Sequence, residues 1–134
     1  MKAYRLDNSA ASAALVAADI PRPQPKRGEF LIHVGAAGVT TTELSWYPTT
    51  HTKSGEDRVG AVPSHEFSGT VAAFGDGVVE FALGEQVFGM NDWYSDGALA
   101  EYCIAPSSAL AMKPTRLNHA GAASVPIPGP PGRD

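Results

Sequence analysis

Short runs in which apolar residues dominate or alternate with polar ones recur along the chain, at residues 1–6, 15–20, 29–37, 67–75, 85–90 and 99–105. Glycine, proline and aspartate punctuate them. Runs of this length and spacing predict β-strands, so the fold class reads as mainly β. Residues 41–47 form the best candidate for a short helix. A threonine is available to cap it, Glu43 sits near its positive end, and Pro48 is expected to stop it. The composition of residues 118–124 suits one more helical turn.

The connections carry their own signals. Pro21, Pro23 and Pro25, followed by Gly28, make a stiff extended lead into the third strand, because each ring fixes its own φ and keeps its predecessor out of helical space. Residues 49–60 are polar and rich in threonine, glycine and charge, which predicts a mobile surface loop. Asp76-Gly77, between Val71-Ala72-Ala73-Phe74 and Val78-Val79, predicts a tight hairpin in which glycine supplies the positive φ. From Val125 to Gly132 the sequence is too rich in proline and glycine for a helix or a central strand. The organisation expected is therefore one folded domain, 1–124, and an extended or disordered Pro/Gly-rich tail, 125–134.

Composition narrows the function classes. At 134 residues with 43% hydrophobic and 18% charged positions, the chain reads as one globular domain. No apolar run approaches the ~18 residues of a membrane helix, and Arg5 and Asp7 precede any apolar stretch, which argues against a secretory signal. A formal charge of −4 without a basic cluster argues against nucleic-acid binding. Cys103 is the single cysteine, which excludes an intrachain disulfide and every multi-cysteine zinc knot. Its strand-like setting predicts a buried thiol, and a reducing cytoplasm fits best.

Three segments carry a resemblance. Residues 29–39, with Gly35-Ala36-Ala37-Gly38-Val39 leading into Thr40-Thr41-Thr42-Glu43-Leu44, form the first. Val62-Pro63-Ser64-His65-Glu66-Phe67-Ser68-Gly69-Thr70-Val71, continuing to Gly75 and Val78, is the second and most specific. Leu83-Gly84-Glu85-Gln86-Val87-Phe88-Gly89 with Gly97-Ala98-Leu99-Ala100-Glu101-Tyr102 is the third. Together they resemble the amino-terminal domain of medium-chain dehydrogenases/reductases, and most of all the zinc-free quinone oxidoreductase type. Ser64 stands where that family usually has glycine, and Glu85-Gln86 replace its usual Asp-Arg. The resemblance implies a GroES-like, partly open β-barrel with one or two short helices. It also implies that the dinucleotide-binding half of the family is missing after about Pro128.

The resemblance further implies where chemistry resides. Zinc-dependent members place a cysteine where this chain has Thr40, and a histidine where it has His65. With threonine at the first position and no later cysteine, His65 and Glu66 remain as weak metal candidates, and zinc is not expected. Read without the family, His65 and Glu66 are a hydrogen-bonded structural pair. Thr42 falls where the family carries a proton-relaying hydroxyl, so Thr42 and Thr40 are the catalytic candidates; the same threonines also suit a plain helix cap. Trp46, Tyr47 and Trp93, with Tyr94 beside them, flank the implied substrate cleft and suit a flat quinone or enone, though aromatic rings serve core packing equally well. The family's hydride donor is NADPH, held mostly by the other half. This chain has no G-x-G-x-x-G, since Gly75-Asp76-Gly77 is followed by Glu80, so tight NADPH binding is not expected here.

His33, His51 and His119 show no partner by spacing and read as ordinary surface or strand residues. The leading reading is thus the substrate-side domain of an NADPH-dependent quinone or enone reductase, inactive alone. Two alternatives stand beside it: a non-catalytic GroES-like binding or scaffold module, and a piece of a zinc-dependent alcohol dehydrogenase. Either way, an exposed domain-docking face would favour homo-oligomers.

Overall fold

The structure is a computed structural model, which describes residues 1–7, 14–39 and 43–124. Seven strands dominate: β1 (Lys2–Asp7), β2 (Ala14–Asp19), β3 (Glu29–Gly38), β4 (Glu66–Phe74), β5 (Gln86–Met90), β6 (Tyr102–Pro106) and β7 (Leu110–Met112). Two short helices, α1 (Tyr47–Thr50) and α2 (His119–Ala123), and two single 3-10 turns complete the described residues. β1 and β2 form a separate two-stranded sheet, while the others order as β6-β3-β4-β5-β7, all antiparallel. The sheets do not close on one another, in keeping with the open, mainly β arrangement expected of a GroES-like domain. Among the described residues no helix is long and apolar enough to cross a membrane.

The core lies on one face of the larger sheet. In β5 and β6 burial alternates, turning Val87, Cys103 and Ala105 inward, the period of two that a pleated strand dictates. Phe30, Ile32, Phe67 and Val71 meet them, with Phe81 set edge-on to Phe30 at 5.5 Å. Gly69 is required where β4 crosses β3: a Cβ there would collide with the His33 carbonyl and come within 2.7 Å of Ile32 Cγ2. The β3–β4 register shifts between Val34 and Ala36, and the ring of His119 lies against Gly35 in that irregularity.

Several expectations need correction. Pro48 does not end a helix over 41–47; it lies in the first turn of α1, where a proline has no intrahelical donor to lose, while residues 43–45 form a separate 3-10 turn. Gly77 does adopt positive φ, at 82°, but no two-residue hairpin forms. The Asp76 carbonyl instead accepts from Gly28 N at 3.0 Å, and β4 pairs with β5, eleven residues beyond Gly75. Residues 99–101 lie outside β6 and bridge to β1 at Ala3, and β7 carried no signal in the sequence. The 49–60 segment is folded back on itself and not a plain loop: Thr49 is buried, His51 bridges Asp57, and Arg58 N donates to Thr50 O at 2.8 Å.

Candidate functional site

The site builds outward from the start of β4. Ser64 holds a left-handed φ of 77°, the conformation that glycine adopts without strain. Two bonds hold it there. Its N–H donates to Glu43 Oε2, and its hydroxyl donates to the Gly38 carbonyl at 2.6 Å. This geometry explains why the resembling family places glycine at this step, and how serine is tolerated here.

His65 follows, 1% exposed, on the strand's first turn into the sheet. Its Nδ1 bonds Asn91 Oδ1 at 2.8 Å, and its Nε2 faces Glu43 Oε2 at 4.0 Å, with Glu43 wholly buried. Burial holds the imidazole below its ordinary pKa, the Asn91 bond only partly opposing it, so the ring is neutral at neutral pH. Asn91 is buried as well, and its side chain also reaches Cys103. Behind it, Cys103 is buried in the core as expected, and desolvation pushes its thiol pKa far up. Glu66, also buried, folds onto Gly38, where any side chain would collide with its carboxylate.

These donors do not fit a zinc ion. His65 turns its nitrogens to Asn91 and Glu43, Glu66 is packed against Gly38, and among the described residues no group of three or more His, Cys, Asp or Glu is placed to hold a metal. Nor does the Gly75-Asp76-Gly77 turn fit a dinucleotide. Gly75 N donates to the Glu29 carbonyl, a Cβ on Gly75 would collide with the Lys26 carbonyl, and no helix follows.

The aromatic candidates divide. Trp46 and Trp93 come together, ring centroids 5.0 Å apart and tilted by 34°, on the same two loops that carry Glu43 and Asn91. Tyr47 instead stacks on His51 at 4.4 Å, and Tyr94 lies under Lys53. Arg58 ties the two loops: its guanidinium donates to Pro48 O at 2.6 Å and Trp93 O at 3.3 Å, and pairs with Asp96 at 3.4 Å. Thr40 and Thr42 lie outside the described residues. Two concave spaces, of about 650 Å³ beside Ala17, Ala36 and Ala98 and about 440 Å³ beside Pro23, Tyr102 and Cys103, are lined by neither tryptophan nor by His65.

Sequence reasoning missed the buried role of Glu43, the Asn91 contact and the anchoring by Arg58. It also left three histidines without roles. His33 stacks on Tyr102 at 4.9 Å, with Arg22 over that ring at 4.0 Å; His51 stacks on Tyr47; His119 Nδ1 meets Ser68 Oγ at 2.6 Å. Only Tyr47–His51, four residues apart, has a local spacing that could announce it; the others join distant parts of the chain.

Residues 26–115 match the sequence pattern of the alcohol dehydrogenase GroES-like domain. The chain belongs to that family. A zinc-type alcohol dehydrogenase-like protein of Schizosaccharomyces pombe is 32% identical over 117 residues, 81% of this GroES-like chain and 33% of the relative. Human quinone oxidoreductase is 31% identical over 110 residues, 82% of this chain and 32% of the relative. A mycobacterial protein solved in complex with NADPH superposes with a TM-score of 0.78 at 30% identity, covering 96% of this chain and 38% of that one. The GroES-like chain thus spans about a third of the length of the curated relatives it matches. The three segments from which the family resemblance was read, the Ser64-His65-Glu66 block among them, fall inside the matched residues, while β1 and β2 precede them.

Proposed function

We propose that this GroES-like domain is the substrate-side part of an oxidoreductase that reduces a flat quinone or enone, with NADPH as hydride donor held outside this chain. The observation that supports it most is the Trp46–Trp93 pair, which brings two large rings from distant loops to one place beside the buried Glu43–His65–Asn91 cluster. Stacking against such rings orients a flat substrate, and orientation alone lowers the barrier to hydride transfer considerably. His65 serves as a neutral structural residue in this reading, and Thr42 with Thr40 are the proposed hydroxyls near the substrate oxygen. Tyr47, stacked on His51 with half of its surface still exposed, is the third proposed substrate contact. The lone buried Cys103 supports a reducing compartment, which we take as the cytoplasm; fractionation of the expressing cells checks it.

The test is fluorescence titration of the full chain with a benzoquinone and, separately, with NADPH, with bound zinc measured on the same sample. Saturable tryptophan quenching by the quinone with Kd below about 1 mM, lost in Trp93→Ala and without NADPH binding or zinc, is the expected result. Saturable NADPH binding or stoichiometric zinc would overturn it. Binding of none of the three would favour a non-catalytic interaction module.

A further inference from the structure

The outer edge of β2 is unguarded among the described residues. β1 occupies one side of β2, and the far side of β1 is itself taken: Tyr4 N donates to Leu99 O at 2.9 Å, Leu6 N to Ala61 O at 2.8 Å, and Lys2 O accepts from Glu101 N at 3.0 Å. The larger sheet ends at β6, which closes in Pro106, and at β7, three residues followed by Lys113-Pro114. Proline, lysine and shortness are the usual protections of an edge. β2 has neither proline nor lysine within its six residues; its one charge is Asp19, and Pro21 comes only after Ile20. From Ala14 to Ala18 it is wholly apolar, Leu15 and Val16 are 36% and 44% exposed, and Tyr4 across the ladder is 51% exposed.

Strand geometry settles which backbone groups point outward. The Met1 amino group donates to Ile20 O at 2.6 Å and Ile20 N to Met1 O at 2.9 Å, so these two form a hydrogen-bonded pair. Such pairs alternate along an antiparallel ladder. In the observed register Ala18, Val16 and Ala14 therefore turn their backbone groups toward β1, while Leu15, Ala17 and Asp19 turn theirs away.

We propose that β2 pairs antiparallel with β2 of a second copy of this chain, about a two-fold axis at Ala17, to make a continuous four-stranded sheet. Only residues with outward groups exchange ladder bonds, so Leu15, Ala17 and Asp19 face Asp19, Ala17 and Leu15 of the second copy. Each Asp19 then faces an apolar Leu15, and no acid faces another, which matters in a chain of formal charge −4. Parallel pairing in register would set Asp19 beside Asp19. Ala17 at the axis is small enough to draw the two Tyr4 rings into one apolar row, Tyr4–Ala17–Ala17–Tyr4, because Tyr4 is the cross-strand partner of Ala17. Val16 meets Ala18 on the other face, large against small. A strand-edge contact falls short of the ~1,200 Å² of a standard interface, so the dimer is weak and concentration-dependent. The surface is on the hairpin and does not depend on the function proposed above.

Sedimentation velocity on the full chain, from about 10 µM to about 1 mM, spans the range in which so small an interface dissociates. Two variants locate it. Ala17→Lys sets two ammonium groups at the axis, and Ala17→Pro removes an outward N–H without touching the β1 ladder. Expected are a sedimentation coefficient that rises with concentration in the unaltered chain, at least about tenfold weaker association in the variants, and amide-exchange protection at Leu15, Ala17 and Asp19 that grows with concentration. A monomer throughout, or a dimer undisturbed by Ala17→Lys, overturns the proposal. Circular dichroism reports whether each variant is folded; should neither fold, the concentration dependence of protection at those three amides decides alone.

Discussion

His65 Nε2 stands 4.0 Å from Glu43 Oε2, and neither side chain reaches solvent. The same carboxylate oxygen accepts the N–H of Ser64 and so holds that residue in its left-handed conformation. One buried glutamate thus fixes both the backbone entry to β4 and the environment of the histidine that follows. Replacing Glu43 with alanine strands a buried N–H and leaves a void, which should destabilise the fold by about 3 kcal/mol. Glu43→Gln keeps an oxygen for Ser64 and should lose less. Urea unfolding of the two variants checks the order.

The buried imidazole makes stability depend on pH. His65 has its pKa lowered by burial below the 6.5 of a free ring, so the unfolded chain binds a proton there at a higher pH than the folded one. Below about pH 6.5 the unfolded state binds more protons, and stability falls as pH drops from 7 until the folded ring itself titrates. His119, lowered by burial and then by Lys113, acts in the same direction. His65→Gln should flatten the unfolding free energy between pH 7 and the folded pKa relative to the unaltered chain, a comparison that denaturant melts at several pH values provide.

The Ser68–His119 contact docks α2 onto β4 across 51 residues of sequence. Ser68 is wholly buried and its hydroxyl also donates to Val87 O at 3.1 Å, so the Nδ1 of His119 supplies the other hydrogen. Ser68→Ala should cost roughly 1 kcal/mol and loosen α2 more than β4 or β5. Amide exchange should show the faster opening confined to α2; an even loss across the sheet would contradict this docking role.

Cys103 should be unreactive in the folded protein. Its thiol is buried and its ionisation strongly opposed by desolvation, so the nucleophilic thiolate is scarce. An aromatic disulfide reagent should label it at the rate of unfolding, with full and immediate labelling once denaturant is added. Rapid labelling of the native chain would mean that β6 opens far more readily than its place in the core implies.

Individual elements show why part of this was readable in advance. The β3–β4 block announces itself through local apolar runs and glycines at fixed offsets, because a strand's period and a turn's φ are properties of neighbouring residues. Pro48 misled because the same ring that ends a helix also starts one, and only the chain on either side decides which. Asp76-Gly77 misled because a turn signal specifies positive φ without specifying what pairs beyond it; the Gly28–Asp76 bond, made just beyond the end of the β3–β4 ladder, took that role.

The sequence by itself determined the mainly β class, most strand positions, the burial of Cys103 and, through the Ser64-His65-Glu66 block and its glycines, membership of the GroES-like family. Tertiary structure alone decided that Glu43 faces His65, that Trp46 meets Trp93, that His119 reaches Ser68, and that β2 keeps an open edge among the described residues. The reason is physical. Periodicity and turn chemistry act between neighbours in the chain, whereas each of these relationships joins residues many positions apart, and exists only once packing has fixed the register of strands between them.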